Sequence, residues 1–274
     1  MKLPFKIDLS GKVALVTGGG GVLCSEFAKA LAASGAKVAV CDLRVDAAQK
    51  VVDEITKDGG TAIAVGANVL DKASLEAARE TILEKFGTVD ILLNGAGGNN
   101  PKGTTSKDTL DPEDLEGAAE GIKTFFDLDP AGIEFVFNLN FLGTLLPTQV
   151  FARDMAKKGD AVILNVSSMN AFRPLTRIPA YSGAKAAVSN FTQWLAVHFA
   201  KVGIRVNAIA PGFFLTNQNH DLLINPDGSY TARSQKILAH TPMNRFGVTD
   251  DLIGTLLWLV DNNASGFVNG TVIP

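Results

Sequence analysis

The sequence predicts an α/β protein: one doubly wound parallel sheet of about seven strands, with helices on both faces. Three observations lead there. Short runs rich in Val, Ile, Leu and Ala recur along the 274 residues, and their apolar positions are consecutive rather than alternating, as in strands covered on both faces. The segments between them carry apolar residues at helical spacing, so strand and helix alternate throughout. No linker rich in Pro, Gly or Ser, no low-complexity tract and no internal repeat breaks the pattern, and residues 1–274 are expected to form a single domain.

In sequence order, "VALVT" (13–17) is the first expected strand, followed by the glycines of "TGGGGVLC" and a helix with Phe27 and Leu31 on one face. "KVAVCD" (37–42) and "TAIAVGA" (61–67) come next, then a helix with Leu75, Ala78 and Ile82 in register. "VDILLN" (89–94), "AVILNVS" (161–167), "IRVNAIA" (204–210) and "GFVNGTVI" (266–273) complete the sheet. "FNLNFLGTLLPTQVFARDMA" (137–156) and "AAVSNFTQWLAVHFA" (186–200) read as long helices with more apolar surface than one sheet face needs, which points to self-association. Two polar segments interrupt the rhythm, one between Gly97 and Phe135 and one from Pro211 to Gly247. Long loops in a compact domain are usually functional. Both follow strands, at the carboxyl edge where open α/β sheets bind their ligands.

Composition narrows the function. The net charge is −3, with Lys and Arg scattered and no basic block, so neither a nucleic acid nor an anionic membrane surface is an expected partner. No apolar window near the ~20 residues that span a bilayer is apparent, and "MKLPFKIDLSGK" lacks a secretory signal; the cytoplasm is the expected location. Cys24 and Cys41 form no CxxC pair and read as buried thiols in a reducing compartment. The three histidines, His198, His220 and His240, are not spaced as metal ligands, and no metal site is expected.

Four consecutive glycines, Gly18 to Gly21, between a strand and a helix make an anion site, because the first helical N–H groups lack partners and the helix dipole points its positive end at the turn. No Lys-Ser or Lys-Thr follows, so this is not a Walker loop. Asp42 ends the second strand about twenty residues on, where a carboxylate accepts hydrogen bonds from adenosine ribose hydroxyls. It would repel a 2′-phosphate, which favours NAD over NADP, although Arg44 could blunt that preference. Tyr181 and Lys185 in "YSGAK" stand four apart, on one helical face. Ser168 closes the strand run "LNVSS" on the same sheet edge. Singly, each of these is more often a cap, a turn or a surface pair; in this order together they are not.

On these residues, with "NGAG" from Asn94 to Gly97, "NFLGT" from Asn140 and "PGFFLT" from Pro211 to Thr216, the sequence resembles the short-chain dehydrogenase/reductase family over about Leu9 to Ile273. The resemblance implies a Rossmann-type fold, a usually tetrameric assembly, and a catalytic tetrad of Asn140, Ser168, Tyr181 and Lys185. It implies a dinucleotide held by Gly18, Gly20, Gly21, Val22, Leu23, Asp42, Asn68, Val69, Asn94, Ala96, Gly97, Tyr181, Lys185, Pro211, Gly212, Phe214 and Thr216. Tyr181 would donate the proton, Ser168 would hold the substrate oxygen, and Asn140 would hold a relay water. A phenol titrates near 10, and one cation ~4 Å away at an effective dielectric of ~20 supplies about the 4 kcal/mol needed to bring it near neutrality, so Lys185, helped by the oxidised nicotinamide, is expected to lower Tyr181.

The sequence departs from the family pattern at three places. The usual TGxxxGxG glycines align either with Val22 and Cys24 or, with the turn one residue shorter, with Gly21 and Leu23; the shorter turn is preferred. Asn68 replaces the adenine-contacting Asp. The sequence ends at "VIP" without the expected Asp-Gly-Gly tail. For substrate, the amides of Asn99, Asn100, Asn217, Gln218 and Asn219 suit a polyhydroxylated molecule, Asn170 adjoins the catalytic serine, and Arg173 or Arg177 could fork onto a carboxylate. "TGGGGVLC", "GGNNPK", "NFLGTLLPTQVF", "NVSSMNAF" and "GFFLTNQN" together resemble one subgroup of that family, the D-mannonate oxidoreductases (fructuronate reductases), which implies NAD(H) and a sugar-acid substrate. Gluconate 5-dehydrogenases, sugar-alcohol dehydrogenases and 3-oxoacyl reductases share the tetrad and stay open; a non-catalytic NAD sensor would break at least one tetrad position.

Overall fold

The computed structural model describes residues 7–116, 121–215 and 220–274. β1 (Val13–Thr17), α1 (Val22–Ala33), β2 (Lys37–Asp42), α2 (Val45–Lys57), β3 (Thr61–Gly66), α3 (Lys72–Lys85) and β4 (Ile91–Asn94) form the first half. Then come α4 (Pro130–Phe137), a π turn (Asn138–Leu142), α5 (Gly143–Lys158), β5 (Ala161–Val166), α6 (Pro179–His198) and β6 (Ile204–Ile209). α7 (His220–Leu223), α8 (Ala232–Ala239), α9 (Asp250–Val260), α10 (Asn262–Ser265) and β7 (Val272–Ile273) close the fold. The strands make one seven-stranded sheet in the order β3-β2-β1-β4-β5-β6-β7, every pair parallel. The α/β doubly wound architecture expected from the sequence is therefore the one observed.

Side-chain alternation on the strands divides the interior into two layers. Ala14, Val16, Val38 and Val40 face α1, α2 and α9, packing on Phe27, Leu31, Val52 and Leu256. Val13, Leu15, Ala39 and Cys41 face the other way, onto Leu75 and Ile82 of α3 and Phe151 and Met155 of α5. Burying apolar surface on both faces at ~25 cal/mol per Å² is the main force holding such a sandwich. The order places β1 beside β4, where the connections diverge to opposite sides. That switch point opens a crevice above the carboxyl ends of the two strands.

Three expectations are corrected. The run 266–273 yields a strand only at Val272–Ile273. The reason is competition for partners: the Asn269 side chain takes the Val206 N–H at 2.8 Å, while Arg205 Nη1 and Asn207 Nδ2 take the Val268 carbonyl at 2.9 Å each, so side chains occupy the ladder positions a longer strand would need. The polar segment after Gly97 ends earlier than expected, because Asp129 caps α4 by accepting from the Ala131 N–H and Pro130 starts it. Finally, the continuous helix Pro130–Lys158 is long and apolar enough to cross a bilayer by length and composition, but half of its most apolar window is buried in the fold. It is a core helix that packs Val150, Phe151 and Met155 against the sheet.

Candidate active site

β1 leads directly into the glycine turn. Gly18 adopts φ +64°, and a Cβ there would lie 2.9 Å from the backbone of Ala96. Thr17 Oγ1 accepts from the Gly95 N–H at 3.1 Å and the Ala96 N–H at 3.4 Å, so the exit of β4 is drawn against the turn. Gly19 donates to the Cys41 carbonyl at 2.9 Å. Gly20 donates to Asp42 Oδ2 at 3.0 Å, and Arg44 N–H donates to Asp42 Oδ1 at 2.9 Å, which holds that carboxylate at the lip of the crevice. Gly21 is the N-cap of α1, and the first helical bond runs from Ser25 N–H to Gly21 O, leaving the N–H groups of Val22, Leu23 and Cys24 outside the ladder. Here an anion finds unpaired donors at the positive end of a helix dipole.

Leu23 packs against the core layer beneath α1. Cys24 Sγ fills the place where a Cβ of Gly95 would sit, and burial pushes its thiol up to about 12. Asn68 folds its own turn, Oδ1 accepting from Leu70 N–H at 3.0 Å, and Val69 beside it is buried against Gly143. Asn94 sends its side chain into the sheet layer, donating to Thr148 Oγ1 at 3.0 Å and Asn165 Oδ1 at 2.9 Å. On the far wall, Pro211 O accepts from Met169 N–H, Gly212 lies over Met169, and the Phe214 ring covers Gly247. Thr216, with Asn217, Gln218 and Asn219, lies outside the described residues.

The four residues expected to form a tetrad lie together beside this crevice. Asn140 sits in the π turn between α4 and α5, fully buried; Nδ2 donates to Gly98 O at 2.7 Å and Val136 O at 2.8 Å, and Oδ1 accepts from Gly98 N–H at 3.3 Å. Widening one helical turn thus clamps the helix to the loop leaving β4, as π turns at functional sites often do. A Cβ on Gly97 would meet Asn140 Oδ1 at 2.7 Å and Lys185 Nζ at 3.1 Å, so only a glycine lets these groups meet. Ser168 lies just past β5 and accepts from Asn170 N–H at 3.2 Å. Lys185 Nζ stands 5.7 Å from the Tyr181 ring centroid and donates to Val166 O at 2.8 Å.

The electrostatics correct one expectation. Burial raises the Tyr181 phenol above its ordinary value, opposed by a hydrogen bond with Ser168, and Lys185 is not among the causes. Lys185 itself is pushed down to about 8 by burial. Desolvation penalises the charged form of both groups, and for each it is the largest cause of the shift.

The family model described as short chain dehydrogenase matches residues 12–226. The protein belongs to the short-chain dehydrogenase family. It is 56% identical over 272 residues to an uncharacterized oxidoreductase, UxuB, of Bacillus subtilis, covering 99% of this chain and 96% of the relative. It is 34% identical over 267 residues to the 7alpha-hydroxysteroid dehydrogenase of Escherichia coli, covering 97% and 93%. Among solved structures it superposes with TM-score 0.94, at 56% identity and over 100% and 96% of the two chains, on "a putative D-Mannonate oxidoreductase from Haemophilus influenza" with bound NAD.

In this short-chain dehydrogenase the expected substrate residues divide sharply. Asn99 Nδ2 donates to Thr104 Oγ1 at 3.0 Å, and Asn100 Oδ1 accepts from Lys102 N–H at 2.9 Å, so one half of each amide folds its own loop, and Asn99 Oδ1 and Asn100 Nδ2 take no bond among the described residues. Arg177 Nε donates to Thr105 O at 3.0 Å. Asn170 is half-buried beside Ser168, while the Arg173 side chain is exposed and makes no hydrogen bond or ion pair among the described residues. One residue that sequence reasoning missed joins the walls: Asp108 accepts from Thr176 Oγ1 at 3.3 Å and pairs with Lys236, tying the first polar segment to the loop after Ser168 and to α8. Those partners lie 68 and 128 positions away, and no local pattern announces them.

Proposed function

We propose that this short-chain dehydrogenase uses NAD(H) to interconvert a hydroxyl and a ketone on a small polyhydroxylated sugar acid, with D-mannonate and D-fructuronate as the pair. One observation carries the reading: the match along the whole length, at 56% identity and TM-score 0.94, to the NAD-bound Haemophilus structure. The Arg173 guanidinium, exposed five residues beyond Ser168 and uncommitted among the described residues, supplies a fork for a carboxylate. Asn99 Oδ1 and Asn100 Nδ2, the halves of these amides that their loop does not use, add groups for substrate hydroxyls.

The residues present fit a dinucleotide. At the turn, the missing Cβ atoms of Gly18 and Gly20 let the chain close onto Ala96 and onto Ala47 and Asp42, three N–H groups at the start of α1 lie outside the helix ladder where a diphosphate would sit, and Asp42 retains carboxylate lone pairs beyond its two backbone bonds for ribose hydroxyls. When bound, NADH supplies the hydride and, once oxidised, a positively charged ring. The protein's own part is at the oxygen. As negative charge develops there, the Ser168 hydroxyl holds it and the Tyr181 O–H delivers the proton. Lys185, kept in place by Val166 O, would hold the nicotinamide ribose hydroxyls, and Asn140 holds the helix and the β4 exit loop in the geometry that lets Lys185 reach this point. All four positions are intact and gathered at one crevice, which favours an enzyme over an NAD sensor.

The same reading includes one catalytic domain over residues 1–274, a cytoplasmic location suited to two buried free thiols, and a homotetramer. Exposed Trp194 and Val197 on α6 and Leu142 at the head of α5 are the apolar surface such an assembly would cover, and a clean monomer in gel filtration would oppose it. The deciding experiment is a panel of aldonates, ketoaldonates, sugar alcohols, 3-oxoacyl thioesters and apolar ketones, tested with NAD and NADP by the absorbance of the reduced nicotinamide. Turnover of D-mannonate or D-fructuronate with NAD(H) is expected. Turnover of the apolar ketones alone would overturn the sugar-acid assignment.

A further inference from the structure

Three consecutive residues leaving β5 are matched, group by group, to one polar face of α6. Asn165 Nδ2 donates to Thr192 Oγ1 at 2.9 Å. The Val166 carbonyl accepts from Lys185 Nζ at 2.8 Å. Ser167 Oγ donates to the Lys185 carbonyl at 3.1 Å and lies 2.6 Å from Ser189 Oγ. Lys185, Ser189 and Thr192 are spaced i, i+4, i+7 and share a helical face. Ser167 has a single proton, and it is given to the Lys185 carbonyl; Ser189 must therefore be the donor in the pair of hydroxyls.

This arrangement is unusual in what it grips. The Lys185 carbonyl already belongs to the ladder of α6, so it needs no help from Ser167 to be satisfied. The second bond instead ties that turn of α6 to the strand exit carrying the acceptor of the lysine's own ammonium. Lys185 is held at both ends, backbone and Nζ, by adjacent residues of one strand exit. Ser167, at 2% exposure, is sealed from water, where each hydrogen bond counts for more than at a surface. Tyr181 stands one turn before Lys185 on the same helix, and Ser168 directly follows Ser167, so the register set by this pair is also the register of the phenol against the serine hydroxyl.

We propose that Ser167, with Ser189 behind it, is a positioning residue for the catalytic pair: it locks α6 in register with the exit of β5 so that the Lys185 ammonium stays on the Val166 carbonyl and Tyr181 stays on Ser168. The inference rests on the reading of Tyr181 and Lys185 as the catalytic pair, and not on the identity of the substrate. Without the lock the ammonium loses a fixed acceptor while remaining buried, and its neutral form gains. Among the described residues, the titratable groups set against Lys185 are Tyr181 on its own helix and the Cys24 thiol from α1, and Gly97, Asn140 and Val166 beside it carry no charge.

The test needs no substrate. Lysine labelled with carbon-13 at Cε reports the Lys185 titration in the ligand-free protein, assigned by the loss of its signal in Lys185→Arg. Titration near 8 is expected for the native protein, with a downward shift of about half a unit or more in Ser167→Ala and a smaller one in the same direction in Ser189→Ala. Ser167→Thr, which keeps the hydroxyl, should recover the native titration. Unshifted titrations in folded Ser167→Ala and Ser189→Ala would overturn the proposal, as would an equal shift in Ser167→Thr and Ser167→Ala. If Ser167→Ala fails to fold, the Ser189→Ala result decides alone. Lys185→Met and Tyr181→Phe, assayed with D-mannonate and NAD, separate the two readings: full activity in them removes the catalytic pair, whereas an unshifted Ser167→Ala removes only its positioning.

Discussion

Replacing Lys185 by Met should abolish turnover and at the same time make the folded protein more stable at neutral pH. Lys185 is 4% exposed, and burial lowers it from 10.5 to about 8. The difference, 10.5 − 8, is about 2.5 units, and at 1.36 kcal/mol per unit the buried ammonium costs the native state about 3 kcal/mol. Against this, Met forfeits the charge-assisted hydrogen bond to Val166 O, ~2 kcal/mol. A net gain of about 1 kcal/mol is expected at pH 7. The sign follows from proton counting. Below pH 8 both the folded and the unfolded state carry the ammonium, and the penalty is complete. Between pH 8 and 10.5 the unfolded state binds more protons than the native one, so native stability rises and the advantage of Lys185→Met shrinks; above that window it is gone. Tyr181, Cys24 and Cys41 also titrate upward of their ordinary values, but they are present in both proteins and largely cancel in the difference. Urea unfolding of both proteins without ligand, at one protein concentration and at pH values from 7 to 10.5, measures it. A variant less stable than the native protein at pH 7, or a gap that does not change with pH, would refute the reasoning.

Other outcomes follow from the same geometry. Tyr181→Phe should remove turnover while leaving NADH binding, read by fluorescence, nearly intact; substantial residual kcat would take the phenol out of its role. Gly20→Val places methyl groups where a Cβ already approaches Ala47 Cβ at 2.7 Å and Asp42 Oδ2 at 3.1 Å, so NAD affinity measured by calorimetry should fall by about tenfold or more. Asp42→Ala should narrow the preference for NAD over NADP in kcat/KM, since the carboxylate that repels a 2′-phosphate is gone; an unchanged ratio would put the discrimination elsewhere. Asp108→Asn weakens the tie among the first polar segment, Thr176 and Lys236, and should raise KM for the sugar acid several-fold with little change in Tm, because an exposed ion pair is worth ~0–1 kcal/mol.

Most of the sheet is legible from local pattern alone. Six of the seven runs become strands within a residue or two of their expected ends, since consecutive apolar β-branched residues have few other places to go. The seventh is not legible. Its backbone partners are taken by Asn269, Arg205 and Asn207, and nothing in "GFVNGTVI" shows that competition. The site divides the same way. Gly18 to Gly21, Asp42, Ser168, Tyr181 and Lys185 announce themselves by residue type and spacing. The split among the polar residues around them does not: Asn94 turns into the sheet, Asn99, Asn100 and Arg177 each give one group to their loop, and the Arg173 side chain makes no bond among the described residues.

By itself, then, the sequence determined the periodic elements, their parallel arrangement and the glycine turn after β1, because apolar periodicity and glycine stereochemistry act over a few residues. The tertiary structure alone decided which polar groups have hydrogen-bond capacity left, how Asn140 acquires a widened turn, how Ser167 meets Lys185, and that burial shifts Tyr181 up and Lys185 down. Those outcomes depend on desolvation and on competition between groups far apart in sequence, and both exist only once the layers have packed.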